Sequence, residues 1–530
     1  MWPRIIIVGL LAVIVGVPLL LRPAESTPSA PLSDAGSEAL VIVSPHNEQI
    51  RYEFTRAFNE SRRDRGLPAV SIDWRTSGGT SDLRRMVVAA YTAEAQRAAR
   101  ENRPLGGVGY DLFFGGGEYE HNILARGISI ERPGGQEQVP LSVPIEFPGA
   151  SEFSQAFPDP FIGSQRLYHP ERRWVGAALS SFGIVFNRDL LQMLERPDPE
   201  TWSDLQHPAY LNQLALADPA HSGSIAATYE TIVRRLGWTE GWMLLRRIFA
   251  NARYFTSSAG KVPVDVSAGE AAAGMCIDFY GRFQAGAIGD NRIGYVDPAF
   301  MTAVNADPIS ILRGAPSQRK ALEEGRPAAE GLANQFVLWL LSPPAQELWQ
   351  KRLGTEGGPE KFELRRLPIR RDLYESAPNG WTDEVNPFLI ASPFPDGLPG
   401  FYQLIQPVSH AIGIDIHGDL RAAWRAILKC PPGPRRDQML ALFDQLPPAL
   451  TVSWTAGDPP REPIGTLLGN PDHPRFADAV EVLRGFSQDI QERYDGFRNT
   501  DRLSEDRLEW SLFFRDNYRT IVRMGRERRP

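Results

Sequence analysis

Three short polar turns carry the side chains and the backbone freedom needed to hold a small anion. Ser77, Gly78, Gly79 and Thr80 make the first, His221, Ser222 and Ser224 the second, and Ser258 and Lys261 the third. Each follows an apolar run and opens a stretch of helical periodicity. Small residues there let backbone N–H groups approach a ligand, and the free N–H groups of a first helical turn favour negative charge. A single such turn serves equally well as an ordinary cap. Three of them, spread over two predicted lobes, point to a shared cleft. A fourth candidate follows residues 273–279, a buried apolar run that breaks at Gly281. It places Tyr280 and Arg282 at the carboxyl edge of a strand, where open α/β sheets bind ligands. Arg282 offers a planar fork for a carboxylate or phosphate. The Tyr280 phenol is a hard oxygen donor, and His46 and Glu48, just after the first strand, are either turn residues or further metal ligands.

The elements that would position these residues alternate. Residues 39–44, 70–74 and 111–114 read as strands, each followed by a glycine-bearing joint or a helix with apolar positions on one face. That pattern implies βαβ units and a mostly parallel sheet. A Pro/Gly-rich passage over 132–160 marks the edge of a first lobe, and a second α/β unit fills 161–290. Residues 291–400 complete the first lobe and cross back to it. Beyond 401 strand signals fade, and 476–494 and 508–524 are amphipathic, the latter with Trp510, Phe514, Tyr518 and Ile521 at helical spacing. The tail is expected to be a separate helical packing unit.

At 530 residues the chain exceeds what one hydrophobic core can organise, since single cores stop growing near about 250 to 300 residues. Its net charge of −7 comes with Lys and Arg scattered along the whole length. No basic stripe follows a phosphate backbone, so nucleic acid is not an expected partner. Residues 5–21 are uncharged and apolar, flanked by Arg4 and Arg22. Such a segment targets a chain to a membrane, either as a cleaved signal peptide or as a retained anchor, and residues 1–37 are read as that segment plus a Pro/Ser-rich tether. Cys276 and Cys430 are the two cysteines. Neither has metal-ligand spacing, and whether they pair is left open. No nucleophile elbow, metal-binding His pair or spaced carboxylate pair supports an enzyme.

Over residues 38–375 the chain resembles the family 1 extracellular solute-binding proteins of ABC importers, and within them the ferric-ion-binding branch. The resemblance rests on residues 41–48 with the helix behind them, on Ser77, Gly78 and Gly79 opening the next helix, on 110–114, on 181–187, and on Trp339 through Arg370. It implies a two-lobed, type II periplasmic-binding-protein-like α/β fold, here with an additional C-terminal helical extension over 401–530. It further implies a monomeric, periplasmic or extracytoplasmic binding protein with no resident cofactor. Such a protein would deliver a small ligand to an ABC permease in the cytoplasmic membrane. Ferric-binding members carry adjacent tyrosines where this chain has Tyr280 followed by Gly281. The implied ligand is therefore an organic or phosphorylated anion, or Fe(III) together with an anion. A membrane-tethered ligand sensor is the alternative reading, with an exported enzyme behind it.

Overall fold

The computed structural model describes residues 38–132, 135–289, 291–299, 301–375, 380–391, 393–394, 398–452, 467–468, 473–494 and 500–526. The apolar segment over 5–21, read as signal peptide or anchor, lies outside the described residues. Among the described residues no helix is long and apolar enough to cross a membrane.

Leu40, Ile42 and Val43 of strand Ala39–Val43 are buried, as its unbroken apolar run requires of a central parallel strand. It pairs in parallel with Ser71–Arg75 on one side and Leu112–Phe114 on the other. Asn305–Leu312, Val175–Ser180 and Leu367–Pro368 then extend this sheet in antiparallel fashion, and Ser142–Val143 pairs onto Asn305–Leu312. A second, five-stranded sheet runs in the order Ala252–Thr256, Leu214–Ala217, Ala273–Ile277, Phe182–Asn187, Ile293–Val296. Its first three strands are mutually parallel and the last two pairings are antiparallel. These two sheets, with helices packed on them, form two α/β lobes, as expected of the chain.

The chain changes sheet at Ser181, between Val175–Ser180 and Phe182–Asn187, and returns between Ile293–Val296 and Asn305–Leu312. The edge expected near 160 therefore falls too early. The Pro/Gly-rich passage there still belongs to the first lobe, because Val175–Ser180 adds to its sheet. The two crossings are tied together: the Ser181 hydroxyl donates to Asp297 Oδ1 at 2.7 Å, and the Phe182 amide donates to Thr302 Oγ1 at 3.0 Å.

Helix Glu48–Asp64 shows how the first lobe is held. Asn47 caps it by accepting from the Ile50 amide at 3.1 Å, and Ile50, Phe54 and Phe58 recur on one buried face. Phe54 and Phe58 meet Trp339 at 5.8 and 5.0 Å between ring centroids. The tail behaves differently from the separate unit expected of it. Helices Tyr402–Ser409, His417–Lys429, Pro434–Asp444, Phe476–Arg493 and Thr500–Arg526 share one continuous core with the second lobe. Trp238 of that lobe packs 4.9 Å from Phe401 and 5.1 Å from Phe486, and its indole N–H donates to the Leu450 carbonyl at 2.8 Å. Apolar faces that look self-sufficient in a one-dimensional pattern are here spent on the lobe. Cys276 and Cys430 are both free, the first buried in a strand of the second sheet and the second just beyond helix His417–Lys429.

Candidate functional site

Between the two sheets lies a cleft of about 820 Å³ lined from both lobes and from the tail. Four helices begin at it, each just after a strand or a glycine turn: Thr80–Arg100 and Glu118–Arg126 from the first lobe, Gly223–Leu236 and Asp278–Ile288 from the second. Their first turns carry partial positive charge, each equivalent to roughly half an elementary charge. The lobes are closed on each other. A Cβ added to Gly79 would stand 1.9 Å from the His221 carbonyl oxygen, so only glycine lets the two loops approach. His221 Nδ1 also lies 3.6 Å from Asp82 Oδ2 across the same seam.

The base of the cleft is a buried ionic group that joins strands Asn305–Leu312 and Val175–Ser180 to the loops carrying His46, Gly116 and Arg366. Arg366 Nη1 lies 2.7 Å from Asp307 Oδ2 and 2.9 Å from His46 Nε2, and Arg366 Nη2 donates to the Ser180 hydroxyl at 2.9 Å. Asp307 Oδ2 is also 2.9 Å from His46 Nε2, and its Oδ1 accepts from the Gly116 amide at 2.8 Å. Gly116 holds φ at +106°, and a Cβ there would strike Thr80, so glycine is required at this turn. The guanidinium of Arg366 stacks over the Phe279 ring, 4.3 Å from its centroid. Burial works to raise the Asp307 pKa, but Arg366 and His46 overcome it and hold the carboxyl down at about 2. Burial likewise keeps His46 below the ordinary histidine value despite Asp307, so it is neutral. Arg366 is thus the fixed cation of the cleft floor, its charge shared with Asp307.

Most of the sequence-derived residues meet here. Gly78, Gly79, Thr80, His221, Ser222, Ser224, Ser258 and Tyr280 all line the one cleft, and so does His46. Ser222 caps helix Gly223–Leu236 by accepting from the Ile225 amide at 3.3 Å and lies 3.0 Å from the Ser224 hydroxyl. Tyr280 rests on Gly260, where an added Cβ would stand 3.5 Å from the ring, and on Phe279, whose centroid is 4.2 Å away. Burial raises the Tyr280 pKa, so the phenol stays protonated.

Four candidates are not brought to the cleft wall. Ser77 stands exposed outside it. Lys261 is exposed and turned onto Asp265 one helical turn along, which also accepts from the Tyr254 hydroxyl. Arg282 is buried on the far side of its helix, paired with Asp297 and lying over the Tyr295 ring at 5.3 Å. At helical spacing, residues two apart face different ways, and that separates Arg282 from Tyr280. Glu48 is exposed in the first turn of its helix, where it complements the dipole rather than a metal. With His46 held by Asp307 and Arg366, the trio Tyr280, His46 and Glu48 does not converge. Among the described residues no group of three His, Cys, Asp or Glu side chains is arranged to hold a metal ion.

The sequence reading passed over Arg366, Asp307, Glu120, Glu230 and Tyr402, all of which line the cleft. Asp307 had a usable signal, because it puts a charge among the buried positions of strand Asn305–Leu312. A charge in such a strand demands a partner. Glu120 did not, since an acid in a first helical turn looks like an ordinary dipole partner. Tyr402 lies in the segment read as a separate tail.

Residues 144–299 match the family model for the bacterial extracellular solute-binding protein. Over this segment the chain is similar to that family. The matched segment includes every strand of the five-stranded sheet and both halves of the Ser181 crossing. The chain is also 29% identical over 174 residues to the phosphoglycerate transport regulatory protein PgtC of Salmonella typhimurium, a match covering 33% of this chain and 40% of that protein. Among solved structures it is similar to the periplasmic binding protein AfuA of Actinobacillus pleuropneumoniae with fructose-6-phosphate bound. The identity is 16% and the TM-score 0.47, over 73% of this chain and 98% of that one. Iron-bound HitA of Pseudomonas aeruginosa gives 15% and 0.47, over 71% and 99%.

Proposed function

We propose that this chain is the extracytoplasmic solute-binding component of an ABC importer. It would capture a small organic or phosphorylated anion between its lobes and present it, as a monomer, to a permease in the cytoplasmic membrane. The observation that carries the reading is the convergence of four helix starts from two lobes on one cleft whose floor is Arg366. Backbone N–H groups at helix starts bind phosphate and carboxylate without needing further cations. The name of the Salmonella relative, which cites phosphoglycerate transport, supports the same ligand chemistry. The segment over 5–21 would deliver the chain across the membrane or hold it there.

A ligand sensor is the second reading, favoured by the fusion of the tail helices into the core of the second lobe and by the word regulatory in that relative's name. In that case closure on ligand would be passed to a partner through the tail.

Native mass spectrometry of the freshly purified chain, followed by titration calorimetry with the mass identified, tests the ligand class. A phosphorylated or carboxylated small molecule that binds with one-to-one stoichiometry is expected. Co-purifying Fe(III) with a visible phenolate band that disappears in Tyr280→Phe would overturn the anion reading.

A further inference from the structure

The cleft has a second pole that anion binding does not explain. Arg366 sits at its floor, but the wall toward the tail carries Glu230 and, in the first turn of helix Glu118–Arg126, Glu118 and Glu120, with Tyr402 brought in by the C-terminal extension. Glu120 is completely buried. Its Oε1 accepts from the Ser81 hydroxyl at 3.2 Å and lies 3.4 Å from the Tyr402 hydroxyl. Glu120 lines the cleft, and its buried Oε2 has no hydrogen-bond partner among the described residues. A buried oxygen of this kind costs about 1 to 3 kcal/mol unless something donates to it. The Tyr402 hydroxyl stands 3.4 Å from the Gly223 carbonyl as well, and its ring lies 4.5 Å from Tyr119. It therefore touches both lobes at once.

We propose that Glu120 and Tyr402 form a hydroxyl-recognising subsite, and that the anion held in the cleft is a phosphorylated or carboxylated polyol. The proposal deepens the anion reading above and rests on it. Three observations carry it. The cavity, at about 820 Å³, is of the size that encloses whole small molecules rather than an inorganic anion alone. The unpartnered Oε2 asks for a partner that can donate, and a ligand hydroxyl does so without bringing more negative charge beside three carboxyl groups. Arg84 and Arg234 already stand as charges beside Glu120 and Glu230, opposing the rise that burial gives their pKa values, so a further cation has less reason to bind there than a neutral hydroxyl. The extension is then part of the ligand site: Tyr402 completes the wall, and the Phe401 amide one residue before it donates to Glu230 Oε1 at 2.8 Å.

The test is titration calorimetry on the full chain with three phosphate monoesters: ethyl phosphate, glycerol 3-phosphate and fructose 6-phosphate. At least one hydroxyl-bearing ester should bind about tenfold or more tighter than ethyl phosphate, the scale of a hydrogen bond to a charged group. Glu120→Ala, and Tyr402→Phe with its ring contact retained, should erase that difference, so that within each variant the hydroxyl-bearing esters bind no tighter than ethyl phosphate. Equal affinities for all three esters in the parent chain would overturn the subsite and leave the anion reading standing. So would variants that weaken all three by one common factor. Absence of binding by every ester would overturn both.

Discussion

Arg366 Nη1 and Asp307 Oδ2 meet at 2.7 Å in the cleft floor, joining the loop before Leu367–Pro368 to the returning strand Asn305–Leu312. Both are almost wholly buried. Truncating Arg366 to Ala leaves a buried carboxylate without its counter-charge, and breaking such a pair costs on the order of 3 to 5 kcal/mol. Urea unfolding at pH 7 should show that loss. Asp307 is held at about 2, below the ordinary 3.8, so the pair's contribution is present above about pH 4 and is lost as pH falls through about 2. The deficit of the variant should accordingly shrink as the medium is acidified below pH 4. A deficit that grows instead would show that Asp307 is not the group stranded.

Gly79→Ala addresses closure alone. The backbone at Gly79 has φ of −78°, which any residue adopts, so alanine imposes no local strain. Its Cβ collides with the His221 carbonyl only when the lobes are shut. Thermal stability without ligand should stay near the parent value, while small-angle scattering with ligand should show a chain that fails to compact. Ligand affinity should fall by about tenfold or more, as expected when the competent state is depopulated. Compaction equal to the parent's would mean that the seam yields.

Asp278 sits beside the first crossing, 3.3 Å from the Ser181 hydroxyl. Burial raises its pKa to about 6, with Arg282 opposing and Asp297 assisting the rise. A carboxyl whose folded value lies above its unfolded value adds stability below the unfolded value, here 3.8, and loses it as pH rises through about 6. Asp278→Asn should therefore be more stable than the parent at pH 8, by on the order of 2 kcal/mol, and indistinguishable from it below pH 4. Thermal melts across pH 4 to 8 read this directly. A variant destabilised at pH 8 would place a needed negative charge at this crossing.

Phe514 tests the fusion of tail and lobe. It is fully buried, packs toward Tyr518, and covers the buried guanidinium of Arg246 at 4.9 Å. Phe514→Ala should cost about 3 to 5 kcal/mol. Because the core is shared, protease sites in helix Trp238–Asn251 of the second lobe should become accessible together with those in the tail. Cleavage confined to the tail would restore the picture of a separate unit.

Much of the cleft was legible in advance. Gly79, Thr80, Ser222 and Tyr280 could be placed at it because a strand followed by a small-residue turn and a helix is a local pattern, and parallel sheets put such turns at one edge. Arg282 shows the limit of that reasoning. Its position in the chain is right, but the helix that begins at Asp278 turns its side chain onto Asp297.

The amino-acid sequence by itself determined the alternation of strands and helices, the two-lobed class, the amphipathic tail and the small-residue turns, because all of these depend on neighbours within a few positions. Tertiary structure alone decided which cation lines the cleft, where the lobes exchange, and that the tail belongs to the second lobe. Asp307 and Arg366 are far apart in sequence, as are Glu120 and Tyr402. Neither partner carries a local sign of the other, since the free energy that pairs them arises only when folding removes both from water.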